Sequence, residues 1–398
     1  MSVSAKARLA GSMLRIAGHT LRERVAKPRV ATAEDIPGSY HDITEQWLTA
    51  VLCREHPGAR VLGFERGAGS EGTTSRQAMT VSYNEAGRKA GLPEAVFAKF
   101  TSKLLSRMLV GPAAAVSSEA RFYRFVRPGL SIEAPVGYYA AYDERSWRSM
   151  FLLEDVMTTR GARPGNPEMY VDRQMAESMV VQLAALHGAF WDSPRLAADF
   201  PWLQNSEAYQ VNLNELIGFR GVTENGVKVS DTIMPESVLR RRSEIWPSFM
   251  RSLALNSRPP LTLLHTDVHI GNWYATEQKA MGLYDWQCLT KGQWAGDVAY
   301  ALSSALTVDD RRAWERELLE LYLDELKAAG GEPPAFGEAW LAYRRQMFHG
   351  LAFWLFTIGA SRLQPEMQPK AFSMINVARM SQAVEDLESL DSMRRTCG

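Results

Sequence analysis

Between Leu261 and Trp286 the chain makes two short apolar runs, Leu261–Leu264 and Ala280–Tyr284, and each ends in a polar stretch that carries a carboxylate. Runs of four to five apolar residues bounded by polar residues read as short buried strands. The first is followed by His265-Thr266-Asp267-Val268-His269-Ile270-Gly271-Asn272, an H-x-D-x-x-x-x-N pattern, and the second ends at Tyr284-Asp285-Trp286. A polar surface loop would account for any one of these residues. Two successive strands that each deliver a carboxylate ask for a shared task, and phosphoryl transfer supplies one. The transferred group carries spread negative charge, so the protein chiefly positions and neutralises. Mg²⁺ takes hard oxygen ligands, here the Asn272 amide and the Asp285 carboxylate. Asp267, on the same loop as Asn272, is placed to accept or orient the proton of an attacking hydroxyl.

Upstream, the chain alternates as a sheet. Arg60–Phe64 reads as a strand, Gly67-Ala68-Gly69-Ser70-Glu71-Gly72 as a turn, Thr73–Tyr83 as a second strand and Ala95–Phe100 as a third. Ser117–Val126 reads as a helix; Pro135–Tyr142 and Trp147–Leu153 read as two more strands. The glycines match G-x-G-x-x-G. A dinucleotide-binding fingerprint would need a helix immediately afterwards; a strand follows instead, which suits a hairpin. Lys99 lies among apolar residues in the third strand and must either find an anion or face solvent. Beyond Asp155 the pattern turns helical, including Asp172–Trp191, Pro235–Leu255, Asp297–Leu306, Asp310–Ala329, Glu338–Ile358 and a last helix near Ala371–Leu390.

His265, Asp267, His269 and Asn272, followed by Asp285-Trp286-Gln287 and Gly296-Asp297-Val298-Ala299-Tyr300, resemble the catalytic and metal loops of the protein-kinase-like superfamily. The pattern is most similar to the aminoglycoside-phosphotransferase and choline-kinase branch, with a D-x-Q triplet reminiscent of ecdysteroid-kinase-like enzymes. Thr266 stands where that branch usually has Gly. The resemblance implies an α+β, bilobal fold, with a small N-terminal sheet lobe bearing one main helix, a larger helical C-terminal lobe, and ATP between them. It implies that Gly67, Gly69, Ser70 and Gly72 cover phosphates with backbone N–H groups, that Lys99 holds phosphates and is steadied by Glu119, that Asp297 braces the catalytic loop, and that Leu152-Leu153-Glu154-Asp155 is a hinge where Glu154 and Val156 lie nearest the adenine. The expected division is 1–58 as a helical extension, 59–155 as the sheet lobe and 156–398 as the helical lobe. His187 and His349 are expected to be structural.

The function expected is ATP- and Mg²⁺-dependent transfer of a phosphoryl group to the hydroxyl of a small molecule. The aromatic wealth of the helical part points to a bulky, partly apolar alcohol; an antibiotic phosphotransferase for aminoglycosides or macrolides and a catalytically silent nucleotide-binding module are the alternatives. Composition narrows the classes. Of 398 residues 46% are hydrophobic and 23% charged, and 45 basic side chains balance 45 acidic ones. A neutral chain lacks the field of a dedicated nucleic-acid binder. The apolar run Leu351–Ala360 is too short to span a membrane. Cys53, Cys288 and Cys397 have neither metal nor disulfide spacing and suit the reducing cytoplasm. Lys6, Arg8, Arg15 and Arg22 precede the first acid, Glu23, and read as an amphipathic surface helix rather than a targeting segment.

Overall fold

The computed structural model describes residues 3–26, 29–71, 74–111, 115–360 and 368–394; Gly72 and Cys397 lie outside them. The chain separates into two compact units, one comprising Met1–Leu130 and Pro135–Ala162, the other Ser131–Ala134 and Arg163–Gly398. It is an α+β protein with an antiparallel N-terminal sheet and a larger helical C-terminal part.

The first unit begins with helix α1 (Val3–Ala26) and a shorter α2 (Glu45–Leu52). The Thr44 hydroxyl starts α2 by accepting the Trp47 N–H at 3.1 Å, which satisfies one of the orphan donors of a helix N-terminus. Trp47, Leu48, Val51 and Leu52 then face inward, as the 3.6-residue period requires. They cover one face of a five-stranded sheet built from β1 (Val61–Glu71), β2 (Ser75–Tyr83), β3 (Ala95–Phe100), β4 (Gly137–Tyr142) and β5 (Ser149–Glu154) in the spatial order β1-β2-β3-β5-β4. Met79, Val81 and Tyr83 alternate with exposed residues along β2 and join Val96, Ala98, Phe100, Met150 and Leu152 in this core. Helices α3 (Leu104–Val110) and α4 (Ala115–Arg121) follow β3.

Two expected features differ. The helix expected over Ser117–Val126 is α-helical over Ala115–Arg121 and continues as a π-helical turn over Phe122–Val126. The glycine segment is not a turn: β1 runs on to Glu71 and pairs with β2 as far as Glu71 opposite Ser75. The ladder slips between Arg66 and Gly69, where the Gln77 amide donates to the carbonyls of Gly67 at 2.7 Å and Ala68 at 3.3 Å. A Cβ on Gly69 would fit tightly there, 3.1 Å from the Arg76 carbonyl.

The second unit is mainly helical: α5 (Arg173–Ala189), α6 (Ser206–Ile217), α7 (Phe219–Val229), α8 (Ile245–Asn256), then α9 (Ala295–Ala305), α10 (Val308–Ala328), α11 (Phe336–Arg345), α12 (Phe348–Gly359), α13 (Lys370–Asp386) and α14 (Ser389–Arg394). Two expected helices are divided. Pro247 is tolerated only in the first turn of a helix, so α8 starts afresh at Ile245 rather than continuing from Pro235. The other divides at Gln346, whose buried amide donates to the Ser252 carbonyl at 3.0 Å. Helices α6 and α7, which the periodicity did not reveal, meet at Gly218 with φ 64°. Four short strands carry the loops: β6 (Thr262–Leu264) pairs with β9 (Thr290–Gly292), and β7 (Trp273–Ala275) with β8 (Met281–Leu283). Strand β7 was not anticipated; it is the partner that the second apolar run needs.

Candidate functional site

In the second unit the loop after β6 is held from below by Asp297, in the first turn of α9. Asp297 is 1% exposed. Its Oδ2 accepts the His265 N–H at 2.8 Å and its Oδ1 the Thr266 N–H at 2.9 Å. A buried carboxylate that takes two main-chain donors is well satisfied and fixes the backbone that supplies them. His187 Nε2 lies 3.4 Å from the same Oδ2, and its Nδ1 lies 2.7 Å from the Tyr322 hydroxyl. His187 is thus part of a buried support.

Thr266 adopts φ 73°, a left-handed backbone that is unfavourable for a β-branched residue. Its surroundings over-determine it. The Thr266 hydroxyl is 2.7 Å from that of Thr290, which is 3.2 Å from that of Ser206, whose O–H donates to Asn256 at 2.9 Å. The Thr266 carbonyl lies 3.0 Å from His349 Nε2. Burial holds His349 below the usual imidazole range, so its neutral ring donates here.

The chain then reverses at Ile270–Asn272, where the Asn272 N–H donates to the His269 carbonyl at 2.8 Å. The Asn272 amide donates to the Asp267 carbonyl at 2.7 Å and to Asp267 Oδ2 at 3.1 Å. The Tyr300 hydroxyl is 3.4 Å from Asp267 Oδ1. Burial, and then Asp267 itself, push the Tyr300 phenol well above its usual range, so it stays a donor. Each carboxylate oxygen of Asp267 therefore has a neutral donor, and the amide oxygen of Asn272 is the end left to act as a ligand.

Asp285 reaches the same end of the β7–β8 hairpin. Trp273 pairs with Leu283, and the Tyr284 N–H extends the ladder to the Asn272 carbonyl at 3.1 Å. Asp285 follows at φ 65°, ψ 62°, a turn away from the strand. His265 ties the first loop to this point: its Nε2 is 3.0 Å from the Tyr284 carbonyl, and its ring packs edge-on to Trp286 at 4.6 Å. His269 senses both acids. Burial lowers its pKa, while the charges of Asp267 and Asp285 oppose that shift. The donor set, one carboxylate and one amide oxygen, suits Mg²⁺, which commonly keeps waters and shares phosphate oxygens instead of sitting in an all-protein cage. Among the described residues no group of three His, Cys, Asp or Glu could hold a metal alone.

In the first unit Lys99 sits on β3, the central strand, not on an edge. Its ammonium lies 2.9 and 2.7 Å from the two oxygens of Glu119 on α4, with the side chains 5% and 3% exposed. Gly67, Gly69 and Ser70 lie on the exposed end of β1; Gly72 is outside the described residues. Glu154, the last residue of β5, is committed. Its carboxylate binds Arg160 at 2.5 Å and accepts from Thr159 at 2.7 Å, and its N–H donates to the Val136 carbonyl at 2.8 Å. Val156 opens a single helical turn that is capped by Asp155.

Sequence reasoning missed several neighbours of Asp267. Tyr300 figured only within the segment around Asp297. Tyr209, whose phenol is raised by burial and by the nearby Cys288 and Asp267, sits on the helix that periodicity did not reveal. Trp354, 5.2 Å from the His269 ring, was one of many aromatics in the helical part. Nothing in linear spacing separates such residues from core packing.

No curated protein matches the chain. Among solved structures it is similar to an aminoglycoside phosphotransferase from Alicyclobacillus acidocaldarius, at 17% identity over 83% of this chain and 92% of that one, TM-score 0.44. It is likewise similar to an ethanolamine kinase from Plasmodium vivax, at 10% identity over 80% and 81%, TM-score 0.45, and to a choline kinase from Streptococcus pneumoniae, at 13% over 87% and 97%, TM-score 0.44. The family described as APH, phosphotransferase enzyme family, matches residues 101–342. That span begins just after β3, so Lys99 and the glycine segment precede it, whereas Glu119, Glu154, Val156, Asp267, Asn272, Asp285 and Asp297 fall within it. With well over half of its length matched, this chain belongs to the phosphotransferase enzyme family.

Proposed function

We propose that this phosphotransferase moves the γ-phosphoryl group of ATP, with Mg²⁺, to a hydroxyl of a small molecule. The observation that carries the reading is the joint placement of Asp267 and Asn272 on one clamped loop, hydrogen-bonded to each other, at the same hairpin end as Asp285. Asp267 orients the acceptor hydroxyl and takes its proton as the new O–P bond forms and the bond from the γ-phosphorus to the bridging oxygen breaks, releasing ADP. Asn272 has two tasks: its NH₂ holds Asp267 and its oxygen would help hold Mg²⁺. Asp285 is the charged ligand. Mg²⁺, when bound, would neutralise the phosphate oxygens on which charge is spread. Lys99, steadied by Glu119, is assigned the inner phosphates. The β1–β2 hairpin, with Gly67, Gly69, Ser70 and Gly72, is assigned to cover them. Of Glu154 the main-chain carbonyl, and of Val156 the backbone, remain as candidates for the adenine.

Tyr300 and His269 lie against Asp267 and Tyr209 feels its charge, with Trp354 packed on His269 and Cys288 beside Tyr209, so phenol, imidazole, indole and thiol line this loop. This supports an acceptor with an apolar or aromatic body over a polycationic aminoglycoside, which would ask for carboxylates. Purified protein supplied with Mg-ATP and a panel of hydroxylated small molecules should consume ATP with at least one member. Asp267→Asn should reduce that turnover by about two to four orders of magnitude while Mg-ATP still binds. Undiminished turnover in Asp267→Asn would remove the assignment, and failure of the native protein to bind Mg-ATP at all would remove the reading as a whole.

A further inference from the structure

Helix α1 has two unlike faces. On the inner one Ile16 and Thr20 are buried. The Thr20 hydroxyl donates to the Ile16 carbonyl at 2.8 Å and accepts from Arg107 at 3.3 Å. Arg107, buried itself, also pairs with Glu23 at 2.6 Å, and Arg148 approaches that carboxylate at 3.7 Å. These contacts fix which side of α1 looks outward.

At 3.6 residues per turn, Leu14, Gly18, Leu21 and Val25 fall on one strip opposite Ile16 and Thr20. Leu14 is 75% exposed, Leu21 64% and Val25 79%. Arg15 and Arg22 border this strip on one side and Arg24 on the other, and all three are exposed. The helix contains one carboxylate, Glu23, already engaged by two arginines, so its outward charge is entirely positive. The sequence adds Lys6 and Arg8 upstream, in a chain whose net charge is zero.

We propose that this face of α1 docks onto an anionic lipid bilayer, with the helix lying in the plane of the surface. A strip of large apolar side chains flanked on both sides by arginines is the pattern of an interfacial helix: the apolar strip enters the headgroup–acyl boundary and the guanidinium groups extend to the phosphates. A second copy of the chain suits the face poorly, because two such helices would set arginines against arginines with no free carboxylate between them. Among the described residues no helix is long and apolar enough to cross a membrane, so the attachment is peripheral. This inference does not depend on which reaction the protein performs.

Co-sedimentation of the full chain with phosphatidylcholine vesicles, with and without one third phosphatidylglycerol, tests it. The expected result is pelleting with the anionic vesicles at low salt, lost with neutral vesicles and at high salt. Leu21→Glu combined with Val25→Glu should weaken partitioning at least tenfold with an unchanged circular dichroism spectrum. Arg22→Gln should weaken it about fivefold, the usual effect of one basic residue near an anionic surface. The proposal is overturned if the native chain fails to pellet, if neutral and anionic vesicles pellet it equally, or if the double variant binds as well as the native chain. It is also overturned if light scattering shows a dimer that the double variant dissolves.

Discussion

Thr266 is the residue at which local preference and tertiary demand conflict most openly. Its φ of 73° is one that glycine would adopt freely, yet its hydroxyl heads a buried chain through Thr290 and Ser206 to Asn256. Glycine would relieve backbone strain of about 1–2 kcal/mol and forfeit a buried hydrogen bond worth about 0.5–1.5 kcal/mol. Thr266→Gly should therefore unfold in urea within about 1 kcal/mol of the native chain. Thr266→Val keeps the strain, loses the bond and leaves Thr290 one partner short, so it should cost about 1–3 kcal/mol; equal stability of the two variants would discount the backbone strain. His349 gives a pH signature. Burial lowers its pKa in the folded protein, so as pH falls the unfolded chain binds the proton first. Its contribution is complete above the unfolded value of about 6.5 and is lost as pH falls below it. The slope added there is at most about 1.4 kcal/mol per pH unit, and His349→Gln should remove it from the urea-derived stability profile between pH 7 and 5.

At the scale of elements, the crossing of α7 and α12 depends on two glycines. A Cβ on Gly226 would strike the Leu355 carbonyl, and one on Gly359 would strike the Val222 carbonyl and the Gly226 backbone. The rings of Phe219 and Phe356 stack beside them at 4.3 Å between centroids, nearly parallel. Because the obstructing atoms are backbone, the helices must separate to admit a methyl group. Gly226→Ala and Gly359→Ala should each lower stability by about 1–3 kcal/mol, as overpacking does, seen as an earlier thermal transition. Gly221→Ala, on the same helix with open space around it, should be neutral or slightly stabilising. The divided helices carry a related lesson. Pro247 could have announced the new start at Ile245, but no local signal marks the division at Gln346, whose side chain is committed to Ser252, 94 residues away.

For the whole molecule, binding and chemistry should separate by mutation. A ligand that binds only the folded chain stabilises it by about 2.7 kcal/mol at a hundredfold excess over its Kd. Mg-ATP should raise the unfolding temperature of the native chain and of Asp267→Ala, and should do so far less for Asp285→Ala; an equal shift in all three would remove Asp285 from the cation. The loop from His265 to Asn272, Asp285, the strand holding Lys99 and the α+β plan were legible in the sequence, because each rests on short-range pattern: alternation, helical period and fixed spacing within a loop. Lys99 could be read as a strand residue and Glu119 named as its partner through the family resemblance, but the burial of the pair depends on the sheet order that makes β3 central. Tyr300 and Tyr209 near Asp267, and Trp354 against His269, were invisible as a group, because helices far apart in the chain bring them to this loop and core packing uses the same residue types. Sequence alone determined which chemical groups each loop offers and in what order, since covalent spacing and backbone propensity act over a few residues. Which of them share a hydrogen bond, which charge is buried and which face of α1 meets solvent were decided only when distant segments packed, because burial and pairing are properties of neighbours in space.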